Sequence, residues 1–245
     1  MTNRTSTTTT GANPSTTTQR TTTTQKTTST QKTTTTQKTT STQLLLGAGV
    51  VAGPIFVVTA GVQALTRTGF RLSHQPLSML SLGDLGWIQI TNFLLAGLFS
   101  LAFAVGVRRR LATGPGHTWV PVLLAVFGIG LLIGGAFVPD AALAYPPGTP
   151  DDYPTSLSTH GLMHAIAPPL AFVALVAACF VVAHRFAVEN RRAAAVTTRV
   201  VAVACLLLGI PFGPGFSWRL FLGVALGFAW ITAYAVFLLR TTDPA

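Results

Sequence analysis

The sequence predicts an all-α fold: a polytopic membrane protein, a six-transmembrane-helix bundle behind a disordered amino-terminal tail. Three observations carry this. Hydrophobic residues make up 49% of the 245 and charged residues 9%, whereas about a quarter of a soluble domain is charged. The apolar residues gather in six runs of about 20, each long enough to cross a hydrocarbon core of roughly 30 Å. No Asp, Glu, Lys or Arg falls in the middle third of any run.

Residues 1–43 form the tail. From Thr21 they repeat with a period of six, "TTTTQK TTSTQK TTTTQK TTSTQ", and they hold no acid and no apolar cluster. Such a segment buries too little apolar surface to offset its ordering entropy, which predicts disorder. Its five spaced cations suit weak attraction to anionic lipid and nothing more specific. The apolar run that follows is too long and too far from the start for a signal peptide, so it is expected to be retained.

The six spans are 44–66, 87–107, 119–138, 161–183, 200–216 and 218–239, within a membrane domain of 44–240 that leaves a short tail at 241–245. The fifth span carries Pro211 and Pro214 in its last third and is either short or broken. With six spans, the amino-terminal segment, the loops after spans 2 and 4 and the carboxyl end share one side. That side carries 13 of the 16 Lys and Arg; the other carries Arg67, Arg71 and Arg219 and four of the six acids. The positive-inside rule therefore places both termini in the cytoplasm of a cell-membrane protein. It also accounts for most of the net charge of +10. There is no basic stripe with interleaved aromatics, so no nucleic-acid partner is expected.

Packing signals are plain. Gly49 and Gly53, Gly130 and Gly134, and Gly223 and Gly227 are G-x-x-x-G pairs, and Ala96, Ser100 and Ala104 give the second span a small-residue stripe. Cys179 and Cys205 lie inside spans and read as small packing residues.

Polar groups collect at the outward ends. Gln63 closes the first span, Gln89 and Asn92 open the second, Asp140 follows the third and Arg219 opens the sixth. The fourth opens with "STHGLMH". His160 and His164, four apart, share a helix face, and Ser158 or Thr159 is a plausible N-cap. Pro168 and Pro169 release the carbonyls of His164 and Ala165 and leave acceptors in search of partners. A metal held by this pair requires a further ligand from His74, Asp84 or Asp140; histidines bonded to neighbouring helices or loops are the competing reading. In the first outward loop His74 and Ser78 are also four apart. Pro76 to Leu82 suits a short interfacial helix that ends at Gly83, Asp84 and Gly86, before Trp87 in the aromatic belt. A serine beside a histidine suggests an activated nucleophile, against a loop that simply folds back as a cap. His117 and His184 sit beside arginines on the opposite side and read as interfacial residues.

The segment from "GPIFVVTAGVQALTRTGFRLSHQPLSMLSLGDLGW" through "VRRRL", with the later "HGLMH", resembles the bacterial and archaeal membrane proteins grouped as domain of unknown function 998. His74, Ser78, Gly83, Gly86 and Trp87 carry the likeness. It spans roughly 44–240 and implies the fold and topology but no activity. A looser similarity links His74, Ser78, Asp84, His160 and His164 to seven-helix membrane hydrolases of the alkaline ceramidase and progestin–adipoQ receptor type, which hold zinc with histidines. This chain has six spans, so that similarity implies only an idea to test.

The expected function follows. An outward-facing polar pocket built from His74, Ser78, Asp84, Asp140, His160 and His164 binds a membrane lipid or small ligand, without a cofactor. The alternative is a metal-dependent hydrolase of a lipid-like substrate, with zinc on His74, His160 and His164 and with Asp84 or Asp140 as ligand or base. An uncoupled transporter or channel comes third, because coupled transport normally needs an ionisable group near the midplane. Catalysis and protein partners are left undecided by the sequence.

Overall fold

The computed structural model describes residues 20–210 and 216–241, with the backbone alone for 20–39. Six helices follow one another: α1 (Arg20–Thr66), α2 (Gly86–Arg110), α3 (Trp119–Ala136), α4 (Thr159–Val188), α5 (Arg192–Gly209) and α6 (Phe216–Arg240). Each contains a stretch long and apolar enough to cross a membrane, which in α1 is Thr40–Thr66. Among the described residues there is no β-strand, and the protein is an integral, multi-pass membrane protein.

The spans fall where hydropathy places them, with one instructive shift. α5 starts at Arg192, two turns before the expected start, and stops at Gly209. Its first turns, "RAAAVTTR", make α5 the least apolar of the six spans, but their alanines and two arginines are good helix formers. Residues 20–43, expected in the disordered tail, form the first part of helix α1; the expectations for Pro211 and Pro214, for the tail over 1–19 and for 242–245 concern residues outside those described.

Lipid supplies no hydrophobic drive between helices, so α1 to α6 associate where small residues let backbones approach. A methyl group added to Gly49 would meet the Phe103 ring at 2.6 Å, and one added to Gly53 would meet the Phe228 carbonyl at 2.9 Å. These contacts seat α1 against α2 and α6. Gly130 lies against Ala171 of α4, and Gly227 against Leu175 of α4, while Ala96, Ser100 and Ala104 are buried in α2. The expected small-residue pairs therefore do mark helix contacts. Each helix packs on its successor from α2 to α6, and α1 closes the circuit.

Aromatic rings fill the centre. Phe56 of α1 stacks on Phe228 of α6 at 4.9 Å and meets Phe93 of α2 edge-on at 5.4 Å; Phe127 of α3 meets Phe228 at 5.5 Å. Further along, Tyr234 gathers Phe103, Phe186, Trp230 and Phe237. Such pairs contribute about 0.5–1.5 kcal/mol each beyond the area they bury.

Candidate functional site

One end of the bundle is covered by the α1–α2 and α3–α4 loops. In the first loop, Leu77–Ser81 forms a short 3-10 helix after Pro76, at the position expected for a short interfacial helix. Its Leu77, Met79 and Leu80 join Ala60, Phe70, Ala142, Leu143 and Tyr145 in a small apolar core of their own. The loop thus folds back as a cap.

Two polar residues fasten that cap. Gln75 is fully buried; its Nε2 donates to the Leu143 carbonyl at 2.7 Å, and its Oε1 accepts from the Arg71 backbone N–H at 2.5 Å. Arg67, one residue past α1, donates through Nη2 to the carbonyls of Leu80 and Leu82, both at 2.9 Å, and through Nε to the Tyr145 hydroxyl at 3.3 Å. On the exposed rim His74 Nε2 lies 2.6 Å from Asp151 Oδ1 and ties the two loops together.

The start of α4 is tied to the end of α3. Ser158 caps α4, its hydroxyl accepting from the Gly161 N–H at 3.0 Å. The same hydroxyl donates to Asp140 Oδ1 at 2.5 Å, and the Ser158 N–H donates to Oδ2 at 2.8 Å. These two donors, the hydroxyl foremost, hold the Asp140 carboxyl below its ordinary range. His164 is buried, and its Nδ1–H donates to the carbonyls of Phe137 at 2.7 Å and Gly134 at 3.1 Å. The exposed His160 ring lies 5.2 Å from the Phe137 ring. Both histidines of "STHGLMH" therefore address the end of α3.

Below the cap lies a cavity of about 350 Å³. Phe56, Phe93, Phe127, Phe228 and Phe172 line it with Leu131, Leu175 and Val224, and Pro168 and Pro169 form part of the α4 wall. Its roof is Pro76, Leu77 and Ser78 of the cap; Ser217 stands at the α6 side. Val173 lines it while remaining 58% exposed, so the cavity reaches the outer, apolar surface of the bundle. Among the described residues no titratable side chain lines it. Such a space can hold an apolar molecule, and the described lining offers it only two serine hydroxyls as polar side-chain groups.

The lining of this cavity is apolar, unlike that of the expected polar pocket. Of the six residues expected in that pocket Ser78 alone lines the cavity; Asp84 and His160 are exposed, and His74, Asp140 and His164 are engaged in the fastenings above. Ser78 and His74 form no hydrogen bond with each other, because His74 turns to Asp151. The alternative metal set, His74, His160 and His164, is not brought together. His74 is held at the loop rim and His164 is turned into α3, and among the described residues no three His, Cys, Asp or Glu side chains are grouped to hold a metal ion. Sequence reasoning missed Gln75 and the fastening role of Arg67. It also passed over the phenylalanines, which looked like ordinary span residues; only their clustering in space distinguishes them.

No curated protein and no solved structure gives a match to this chain. A match does come from the family described as "Protein of unknown function (DUF998)", over residues 50–238, from within α1 to near the end of α6. With all six spans inside or overlapping that match, the chain belongs to the DUF998 family of proteins of unknown function.

Proposed function

We propose that the protein binds a bilayer-derived molecule, with a lipid chain inserted in the cavity beneath the loop cap. The observation that carries this reading is the cavity itself. Its volume of about 350 Å³ lies in the range of small-molecule sites, its wall is aromatic and aliphatic, and Val173 marks an opening on the bundle surface. A chain moving from bilayer to cavity gains little from the hydrophobic effect, because both surroundings are apolar. Selectivity then rests on shape and on contact with the Phe56, Phe93, Phe127 and Phe228 rings.

The same reading places the protein in the cell membrane with both termini cytoplasmic. The supporting observation is charge: Arg108, Arg109, Arg110, Arg185, Arg191, Arg192 and Arg240 flank one end of the helices, and the acids Asp84, Asp140, Asp151 and Asp152 flank the other. The cap then faces outward.

Binding is tested by titrating the protein, purified in a nonionic detergent, with an environment-sensitive fluorescent fatty acid. Val224→Trp fills the cavity from α6. The expected result is saturable binding to the wild type and at least about tenfold weaker binding to the variant, because the indole occupies the volume the chain would fill and removes its packing contacts. Equal binding by both, at matched thermal stability, would sink the reading.

A further inference from the structure

A second group of residues between α1, α2 and the cap has polar atoms that the fold does not satisfy. Gln63 Nε2 donates to Gln89 Oε1 at 2.8 Å, and Asn92 Nδ2 donates to the same oxygen at 3.3 Å and to the Phe56 carbonyl at 3.1 Å. That chain leaves Gln63 Oε1, Gln89 Nε2 and Asn92 Oδ1 buried without partners, as are Ser81 Oγ and Arg67 Nη1. The four uncharged side chains are almost wholly enclosed: Gln63 5% exposed, Ser81 5%, Gln89 0% and Asn92 3%. They belong to one neighbourhood. Arg67 follows Gln63 by one helical turn, its Nη2 grips the carbonyls on either side of Ser81, and the first residue of α2, Gly86, packs on the Ser81 carbonyl.

An unpaired buried donor costs about 1–3 kcal/mol, and more when charged. Native proteins rarely leave five such atoms together, so a partner from outside the chain is called for. Water would satisfy the amides but would leave the guanidinium charge unbalanced. Among the described residues Arg67 has no ion-pair partner, and its other donors go to two carbonyls and a phenol. Near a membrane, where the dielectric is low, a guanidinium facing only neutral acceptors favours an anion. Two further donors, Gln89 Nε2 and Ser81 Oγ, accompany it, and α2 directs its positive end to this region with no acid in its first turn.

We infer that Arg67 Nη1, Ser81 Oγ and Gln89 Nε2 form a binding site for a single oxyanion group, a carboxylate or phosphate. Gln63 Oε1 and Asn92 Oδ1 accept from its hydroxyl or from an accompanying water. The site stands on its own donors, whatever the cavity holds. The oxyanion is supplied either as a free ion or as the head of an amphiphile.

Thermal unfolding of the detergent-purified protein at pH 7 tests this. Inorganic phosphate and acetate are titrated against chloride at equal ionic strength, and laurate against lauryl alcohol. Stabilisation is expected with the oxyanions beyond that with chloride, and with laurate beyond that with the alcohol. Half-saturation should rise at least about tenfold in Arg67→Gln, the loss expected for a charged hydrogen bond, and stay unchanged in Arg71→Gln, whose side chain is exposed. A laurate effect at much lower concentration than acetate identifies an amphiphile's head; equal effects identify a free ion. Because Arg67 also fastens the cap, Ser81→Ala serves as the second variant and should weaken the same response. Equal stabilisation by chloride and oxyanions, showing that water suffices, overturns the inference. So does unchanged half-saturation in Arg67→Gln, or in Ser81→Ala where Arg67→Gln does not fold.

Discussion

Replacing Gln75 with alanine removes a fully buried side chain that joins the two cap loops. Two hydrogen bonds go, to the Leu143 carbonyl at 2.7 Å and from the Arg71 N–H at 2.5 Å, and a buried carbonyl is left unpaired. At about 1 kcal/mol for each of the two bonds and about 1–3 for the orphaned group, the loss is about 3–5 kcal/mol. Leu143 and Ala144 stand at φ 54° and 56°, a left-handed conformation unfavourable for residues with a Cβ. Gln75 therefore holds a segment that relaxes once released. The loss falls on the cap rather than on the bundle, whose helices do not depend on Gln75. The assay is hydrogen exchange at Leu143 and Ala144, whose N–H groups donate to the carbonyls of Asp152 and Pro150. Cap opening should become about 100-fold to 4,000-fold more frequent, from tenfold per 1.4 kcal/mol. Exchange within about threefold of the wild type, under conditions where exchange reports the opening equilibrium, would refute this account of the cap.

Two more predictions concern the same end of the protein and its orientation. The Asp140–Ser158 fastening should be insensitive to pH from 8 down to 5. A carboxyl depressed in the folded state contributes stability above its unfolded value, near 3.8, and that contribution is lost as pH falls through the lower folded value. Hydrogen exchange at Gly161, the residue capped by Ser158, should accelerate only below that range. In Asp140→Asn the acid-induced step should vanish, and an unchanged step would contradict the assignment. A phosphatase reporter, active only outside the cytoplasm, should be inactive when fused after Arg240 and active when inserted at Gly148 in the α3–α4 loop; the opposite pattern would invert the topology.

Hydropathy alone found the six spans, because a bilayer forces backbone satisfaction into helices of fixed minimum length. Glycine spacing found their contacts, since Gly49, Gly53 and Gly130 sit where a methyl group would collide. The site was less legible. Histidines and acids at span ends drew attention by their chemistry, yet His164 bonds to carbonyls of α3 and His74 pairs with Asp151. Those partners lie 27 to 77 residues away, a distance over which one sequence carries no pairing signal. Gln75 was hidden for the same reason, its partner Leu143 being 68 residues on. The cavity was invisible because its lining residues match those of any membrane helix; what makes a space of them is the meeting of Phe56, Phe93, Phe127 and Phe228 below Pro76 and Leu77.

That space is the centre of the account, and photo-crosslinking reports on it most directly. The protein, embedded in bilayers containing a fatty acid with a diazirine along its chain, is irradiated, digested and mapped by mass spectrometry. Adducts should concentrate on Phe172, Val173, Leu220 and Val224, which line the cavity and its opening, and should fall when Val224→Trp fills it. Adducts spread evenly over Val58, Val62 and Leu98, exposed residues elsewhere on the bundle, with no enrichment at the cavity, would contradict the account.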